Sequence, residues 1–132
     1  MRITHEADYA MRVAFCLASA GGKMSAKEIA EKTGVTLRFS LKILRKLIQA
    51  GMIESFKGVT GGYQLLLPPE EISLGAIIEC IDGPIAINHC LTNEFECTRV
   101  DCKADCNFRK IFGSINARLR DDLYGITLDQ LI

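Results

Sequence analysis

The stretch from Ser25 to Leu67 constrains this chain more than any other part of it. Ser25-Ala26-Lys27-Glu28 has capping-box spacing: the serine oxygen takes a free backbone N–H and the glutamate reaches back to the cap. It predicts a short helix over Ala26 to Lys32. Gly34-Val35 predicts a tight turn, and Thr36 caps a further helix over Leu37 to Ala50 that Gly51 ends. Leu37, Leu41, Leu44, Leu47 and Ile48 recur as its apolar stripe, and Arg38, Lys42, Arg45 and Lys46 cover its other face. Two β-like runs follow, Ile53 to Phe56 and Gly62 to Leu67, around the turn Lys57-Gly58-Val59-Thr60-Gly61. An amphipathic helix, Thr4 to Ala20, precedes all of this. The order predicts a mainly α fold with a small β-hairpin wing, a winged helix-turn-helix.

Pro68-Pro69 breaks the pattern and divides the chain. Residues 1–67 are expected to form the winged domain, and residues 68–132 a cysteine-containing loop and a dimerisation-helix region. Ser73 caps a helix over Leu74 to Ile81, stopped by Asp82-Gly83-Pro84. Ile85 to Asp105 has no clear period. From Asn107 to Tyr124 the period is helical again, with Phe108, Ile111, Phe112, Ile115, Leu119 and Leu123 in one stripe. So small a domain leaves such a face in need of a partner surface.

Charge divides at the same place. The chain is neutral, yet residues 1–66 hold ten Lys/Arg against five Asp/Glu, a net +5, and residues 67–132 hold six against eleven, a net −5. A basic half joined to an acidic half points to a polyanion-binding module with a second module attached. A basic helical face alone is often just solvated surface. Capping box, turn, basic helix and glycine-rich hairpin together point instead to DNA. A helix fits the major groove, and its exposed face then carries donors for phosphates and base edges. Thr36, Arg38, Ser40, Lys42, Arg45 and Lys46 are the donors on offer. Arg38 is best suited to a base edge, because its fork matches guanine. Lys57 sits on a glycine turn whose backbone can approach a sugar-phosphate chain closely. No apolar run approaches the ~18 residues of a membrane span, and the charged N-terminus does not read as a signal peptide, so a cytoplasmic protein without a membrane partner is expected.

Six cysteines are many for such a chain, and four fall within seventeen residues as Cys90-x6-Cys97-x4-Cys102-x3-Cys106. In a reducing compartment this is more often a metal or redox site than a disulfide framework. Thiolates suit iron–sulfur clusters and zinc. Cys16 and Cys80 lie among apolar residues and read as core.

Met1-Arg2-Ile3-Thr4, Asp8-Tyr9-Ala10, the run Lys57-Gly58-Val59-Thr60-Gly61-Gly62-Tyr63 and Ile126-Thr127-Leu128 resemble the Rrf-type (IscR/NsrR-like) bacterial regulators over essentially the whole chain. The resemblance implies a homodimeric transcription factor that binds a double-stranded DNA operator, its subunits paired through the long C-terminal helix. It places Thr36, Arg38, Phe39, Ser40 and Lys42 at the start of the recognition helix, and Lys57, Gly58, Gly61, Gly62 and Tyr63 in the wing. Arg2 and Thr4 fall near the DNA backbone. Phe39 reads as core rather than contact, and the Tyr63 ring reads either way. The resemblance also implies an iron–sulfur cluster, 4Fe–4S in preference to 2Fe–2S, held by three cysteines. Cys90 is the first and Cys106 the last; Cys97 is the middle ligand, with Cys102 as its alternative or as a fourth. In some members an aspartate from the partner subunit completes the set, and Asp8 stands at that place. Others use a histidine where this chain has Arg109, which cannot ligate. His5 and His89 are lesser candidates. The signal would then be iron–sulfur status, nitric oxide or redox state. The rival readings are a cluster-free regulator answering a metabolite or protein partner, a zinc-stabilised interaction module, and a thiol enzyme using Cys102 or Cys106. The lack of a C-x-x-C and of a catalytic histidine partner speaks against the enzyme.

Overall fold

The computed structural model describes residues 1–99 and 103–132. Hydroxyl caps start four of its five α-helices. Thr4 Oγ1 accepts from Ala7 N–H at 3.1 Å and opens α1 (His5–Ala20). Ser25 opens α2 (Ala26–Thr33), Thr36 opens α3 (Leu37–Gln49), and Ser73 opens α4 (Leu74–Asp82). In each case the side chain satisfies a backbone donor that the helix itself cannot, which stabilises the helix by about 1 kcal/mol. The fifth helix, α5 (Asn107–Gly125), begins at Cys106 without a side-chain cap. No described helix is long and apolar enough to cross a membrane.

One face of α1 (Ala10, Val13, Ala14, Leu17) packs with Ile29 of α2 and with Ile43, Leu44 and Leu47 of α3. Ile72, Ile77 and Leu128, all beyond Pro68-Pro69, close the same core. A short 3-10 turn, Leu128–Leu131, carries Leu128 back to it, and Ser73 pairs with Thr127 as an isolated bridge. Each fully buried Ile or Leu contributes roughly 1.5–3 kcal/mol of apolar burial.

The stripe expected on α3 is corrected by the structure. Ser40, Ile43, Leu44 and Leu47 form the buried face, whereas Leu37 and Leu41 are 47% and 40% exposed. The core touches the helix about a stripe that includes Ile43, so Leu37 and Leu41 fall at its outer edge.

The hairpin pairs β1 (Ile53–Phe56) with β2 (Gly62–Leu65) antiparallel, Ile53 opposite Leu65 and Phe56 opposite Gly62. It stops two residues before the expected Leu67. Met24 and Tyr63 exchange both backbone hydrogen bonds, at 2.9 and 2.8 Å, and so fix the wing to the start of α2. That close approach demands glycine. A Cβ on Gly61 would lie 2.2 Å from the Phe56 carbonyl oxygen, and one on Gly62 2.7 Å from that of Met24.

The outer helix, α5, has no fully buried residue. One side docks on α4 and the segment after it. Arg120 pairs with Glu79 at 2.9 Å, and Tyr124 Oη donates to the same carboxylate. Asn116 spends both ends of its amide on the backbone of Ile85 and Ile87, at 2.8 and 2.9 Å. Phe108 and Ile111, 61% and 59% exposed, and Ile115 and Leu119 stay in solvent.

Candidate nucleic-acid interface

The exposed face of α3 carries Arg38, Lys42 and Arg45, flanked by Leu37 and Leu41. Among the described residues neither Arg38 nor Arg45 has an ion-pair partner, so their guanidinium forks are open to solvent. Thr36 is exposed at the N-terminal end of α3, as its N-cap. Its hydroxyl accepts from Phe39 N–H at 3.2 Å, which leaves it able to donate outward.

Ser40 is not on this face. It is fully buried, and its hydroxyl has no hydrogen-bond partner among the described residues. Its donor role is corrected: a helix turns about 100° per residue, which carries position 40 to the core side when 38 and 42 face out. Phe39 is exposed rather than core. Its ring meets Tyr9 of α1 edge-on, with centroids 5.7 Å apart, and Lys42 Nζ lies 5.6 Å from its centre.

Lys57 and Gly58 lie exposed in the wing turn beside the fully exposed Val59. The Tyr63 ring packs against the core beneath them. Lys23 was missed by sequence reading. Its ammonium stands 4.1 Å from the ring centre of Phe56, the last residue of β1 before the wing turn, and its only signal was a position two residues before the cap of α2. Arg2 is exposed, and the Thr4 hydroxyl donates to Asp82 at 2.5 Å as well as capping α1. Glu6 was missed too. It accepts from Lys46 at 2.7 Å and stands 3.7 Å from Lys42 Nζ. The hydrogen bond from Lys46 holds its carboxyl below the usual range against the opposing effect of burial.

The cysteine region lies between α4 and α5. Cys90 stands in a 3-10 turn, His89–Leu91, and Cys97 in the loop after it. Cys106 is the N-cap residue of α5 and is buried. Its thiol is pushed down, first by the backbone N–H of Arg109 and then by the Arg99 guanidinium, which donates to Sγ at 2.9 Å. The backbone N–H of Arg99 reaches Cys97 Sγ at 3.4 Å, so one residue touches two of the sulfurs. Arg109 donates to the Cys90 carbonyl at 3.4 Å. The expectation for Cys102 lies outside the described residues. Asp8 is paired with Arg12 at 2.8 Å, His5 stacks on Tyr9, and His89 is exposed. Cys16 and Cys80 are half-buried against the core, and burial pushes both thiols up.

The donor chemistry suits a thiophilic metal centre: soft sulfurs, one of them at a helix N-terminus with its thiol pKa pushed down. The described residues, which do not include Cys102, do not complete one. Among the described residues no three of Cys, His, Asp and Glu gather closely enough to hold a metal ion.

A basic helix presented beside a glycine wing defines a winged helix-turn-helix DNA-binding protein. Residues 3–132 match the Rrf2 family, described as an iron-dependent transcriptional regulator, and the chain belongs to that family. It is a transcriptional regulator and not an enzyme. A putative rrf2-like HTH-type regulator of Rhodobacter capsulatus is 34% identical over 86% of this chain and 80% of its own length. The regulator IscR of Aliivibrio salmonicida is 27% identical over the whole of this chain and 77% of its own. Among solved structures, CymR, the global cysteine regulator of B. subtilis, superposes with a TM-score of 0.80 at 26% identity, covering 99% of this chain and 95% of that one.

Proposed function

We propose that two copies of this chain, paired through α5, read the two half-sites of an operator, with α3 in the major groove and the wing against the backbone. The observation that carries the reading is the pair of arginines, Arg38 and Arg45, exposed on the outer face of α3 with no ion-pair partner among the described residues. Arg38 reads a base edge and Lys42 and Arg45 take phosphates. Lys57, with Gly58, Gly61 and Gly62 shaping the turn, contacts sugar-phosphate, as do Arg2 and Thr36 at the edges. Phe108, Ile111, Ile115 and Leu119 supply the apolar face that a second copy covers.

In this reading the cysteine region is the sensor. Cys90, Cys97 and Cys106 would hold an iron–sulfur cluster, with Asp8 of the opposite subunit as a fourth ligand. A bound cluster would supply sensitivity to iron supply, oxidants or nitric oxide. The chain's own part is mechanical. Arg99 must leave the Cys106 sulfur for a metal to be held there, and Asp8 must leave Arg12. Asn116 and Glu79 tie the segment leading to Cys90 onto α5 and α4, and Asp82 at the end of α4 holds Thr4 at the cap of α1. A change at the loop therefore has a bonded path to the first turn of α1, which packs on α3. The cluster-free alternative, a regulator answering a metabolite or protein partner, draws on the absence of a gathered ligand set among the described residues.

The test starts with duplexes that the wild-type protein selects from a random-sequence pool. Arg38→Ala weakens the selected duplex by about 1–3 kcal/mol and a scrambled one far less, whereas Lys57→Ala weakens both alike. Binding unchanged in both variants refutes the interface. Ile111→Glu yields monomers on sedimentation. Iron and sulfide in near-equal amounts in anaerobically prepared protein support the cluster; neither metal nor sulfide leaves the cluster-free regulator.

A further inference from the structure

A fixed anion stands beside the basic face of α3. Glu6 belongs to the first turn of α1, and its side chain is only 23% exposed. Its surroundings hold it there. Thr4 caps the turn and bonds Asp82, Ala7 and Ala10 are fully buried, and Tyr9 packs on Phe39 of α3. A duplex that lies on α3 thus meets the four cations Arg38, Lys42, Arg45 and Lys46 with a carboxylate among them.

The two lysines are held unequally. Lys46, at 2.7 Å, makes a direct hydrogen-bonded pair with Glu6 and is 35% exposed. Lys42 is 3.7 Å away and 55% exposed, so its long stem can swing toward solvent at little cost. Sequence-independent binding to DNA is almost wholly an attraction of cations to phosphates with release of counterions. A carboxylate that neutralises one cation and repels phosphate subtracts from that attraction. It takes nothing from the base contacts of Arg38.

We propose that Glu6 is a specificity-determining residue that restrains phosphate-driven binding, by keeping Lys46 away from the phosphates and holding Lys42 until a duplex draws it away. This rests on the reading of α3 as the DNA-contacting helix. The charge governor lies in α1, outside the helix-turn-helix, on the turn that also carries Asp8.

The probe is a short fluorescent random-sequence duplex, titrated with the full chain at several salt concentrations. Glu6→Gln removes the charge and keeps the shape. Binding to the random duplex tightens roughly three- to tenfold at ~50 mM salt, and the log–log salt slope steepens by about 0.9 for each further phosphate that a freed lysine neutralises. Glu6→Ala does the same, which separates the charge effect from any property of glutamine. The tightening disappears when Lys42 and Lys46 are both replaced by Gln. Unchanged or weaker binding in Glu6→Gln, with Lys42→Gln weakening it, overturns the role of Glu6 and leaves the interface standing. No effect of either Glu6→Gln or Lys42→Gln overturns both. Tightening that survives the loss of both lysines overturns the pairing as its cause.

Discussion

The ring of Tyr124 occupies the space in which a side chain on Gly75 would begin. A Cβ on that glycine would lie 2.2 Å from Tyr124 Cδ2. The absence of a side chain at this point of α4 is therefore what lets α5 lie against it. Glu79, one turn further on, receives the Tyr124 hydroxyl and the Arg120 guanidinium.

Gly75→Ala should loosen that docking although alanine is the better helix former by about 1 kcal/mol. The overlap with the ring costs about 1–3 kcal/mol, as overpacking in a filled site does. Urea denaturation should show a lower midpoint in Gly75→Ala, restored in part by adding Tyr124→Ala. An unchanged midpoint in the single variant would show that the ring moves aside freely.

Ser40→Ala should raise stability by about 1 kcal/mol. A buried hydroxyl without a partner costs free energy, and alanine favours the helix. The same change should leave DNA affinity as it was, because Ser40 faces the core. A loss of affinity without a loss of fold would return Ser40 to the interface.

Acid should release α5 from α4 through Glu79. Burial alone would raise the carboxyl pKa, but hydrogen bonds from Arg120, Tyr124 and the Ile85 N–H outweigh it and lower the net value below the ordinary 4.5. A carboxylate with a depressed folded pKa contributes stability that is complete above its unfolded value and fades as pH falls through the folded one. The contribution is thus full at neutral pH and is lost below about pH 4.5. Thermal melts of wild type and Glu79→Gln should differ at pH 7 and converge in acid. Parallel curves across that range would rule Glu79 out.

Gly61→Ala should disable the wing without unfolding the helices. The added carbon meets the Phe56 carbonyl oxygen at 2.2 Å, backbone that has nowhere to retreat. Helical circular dichroism should stay near wild type while affinity for a selected duplex falls about tenfold, of the order of a few lost backbone contacts. Wild-type affinity would remove the turn from the interface.

Helix limits were legible because they are made locally. Thr4, Ser25, Thr36 and Ser73 each bond a donor three residues on, and such contacts are written in adjacent residues. The wing was legible for the same reason, in the glycines of a tight turn. The cysteine region resisted because it lacks a period, and its spacing alone does not say which sulfurs meet. Arg99, the residue that touches Cys97 and Cys106, carried no motif.

The sequence by itself determined the order of elements, the division of charge and the presence of a basic helix beside a glycine hairpin, all consequences of short-range bonding and periodicity. The tertiary structure decided which side of α3 is inside. Burial depends on what the rest of the chain brings against a helix, so Ser40 went in and Leu37 and Leu41 stayed out. It also joined Glu6 to Lys46 and Gly75 to Tyr124, partners forty or more residues apart. Contacts at that separation are set by how helices pack, and no local pattern encodes them.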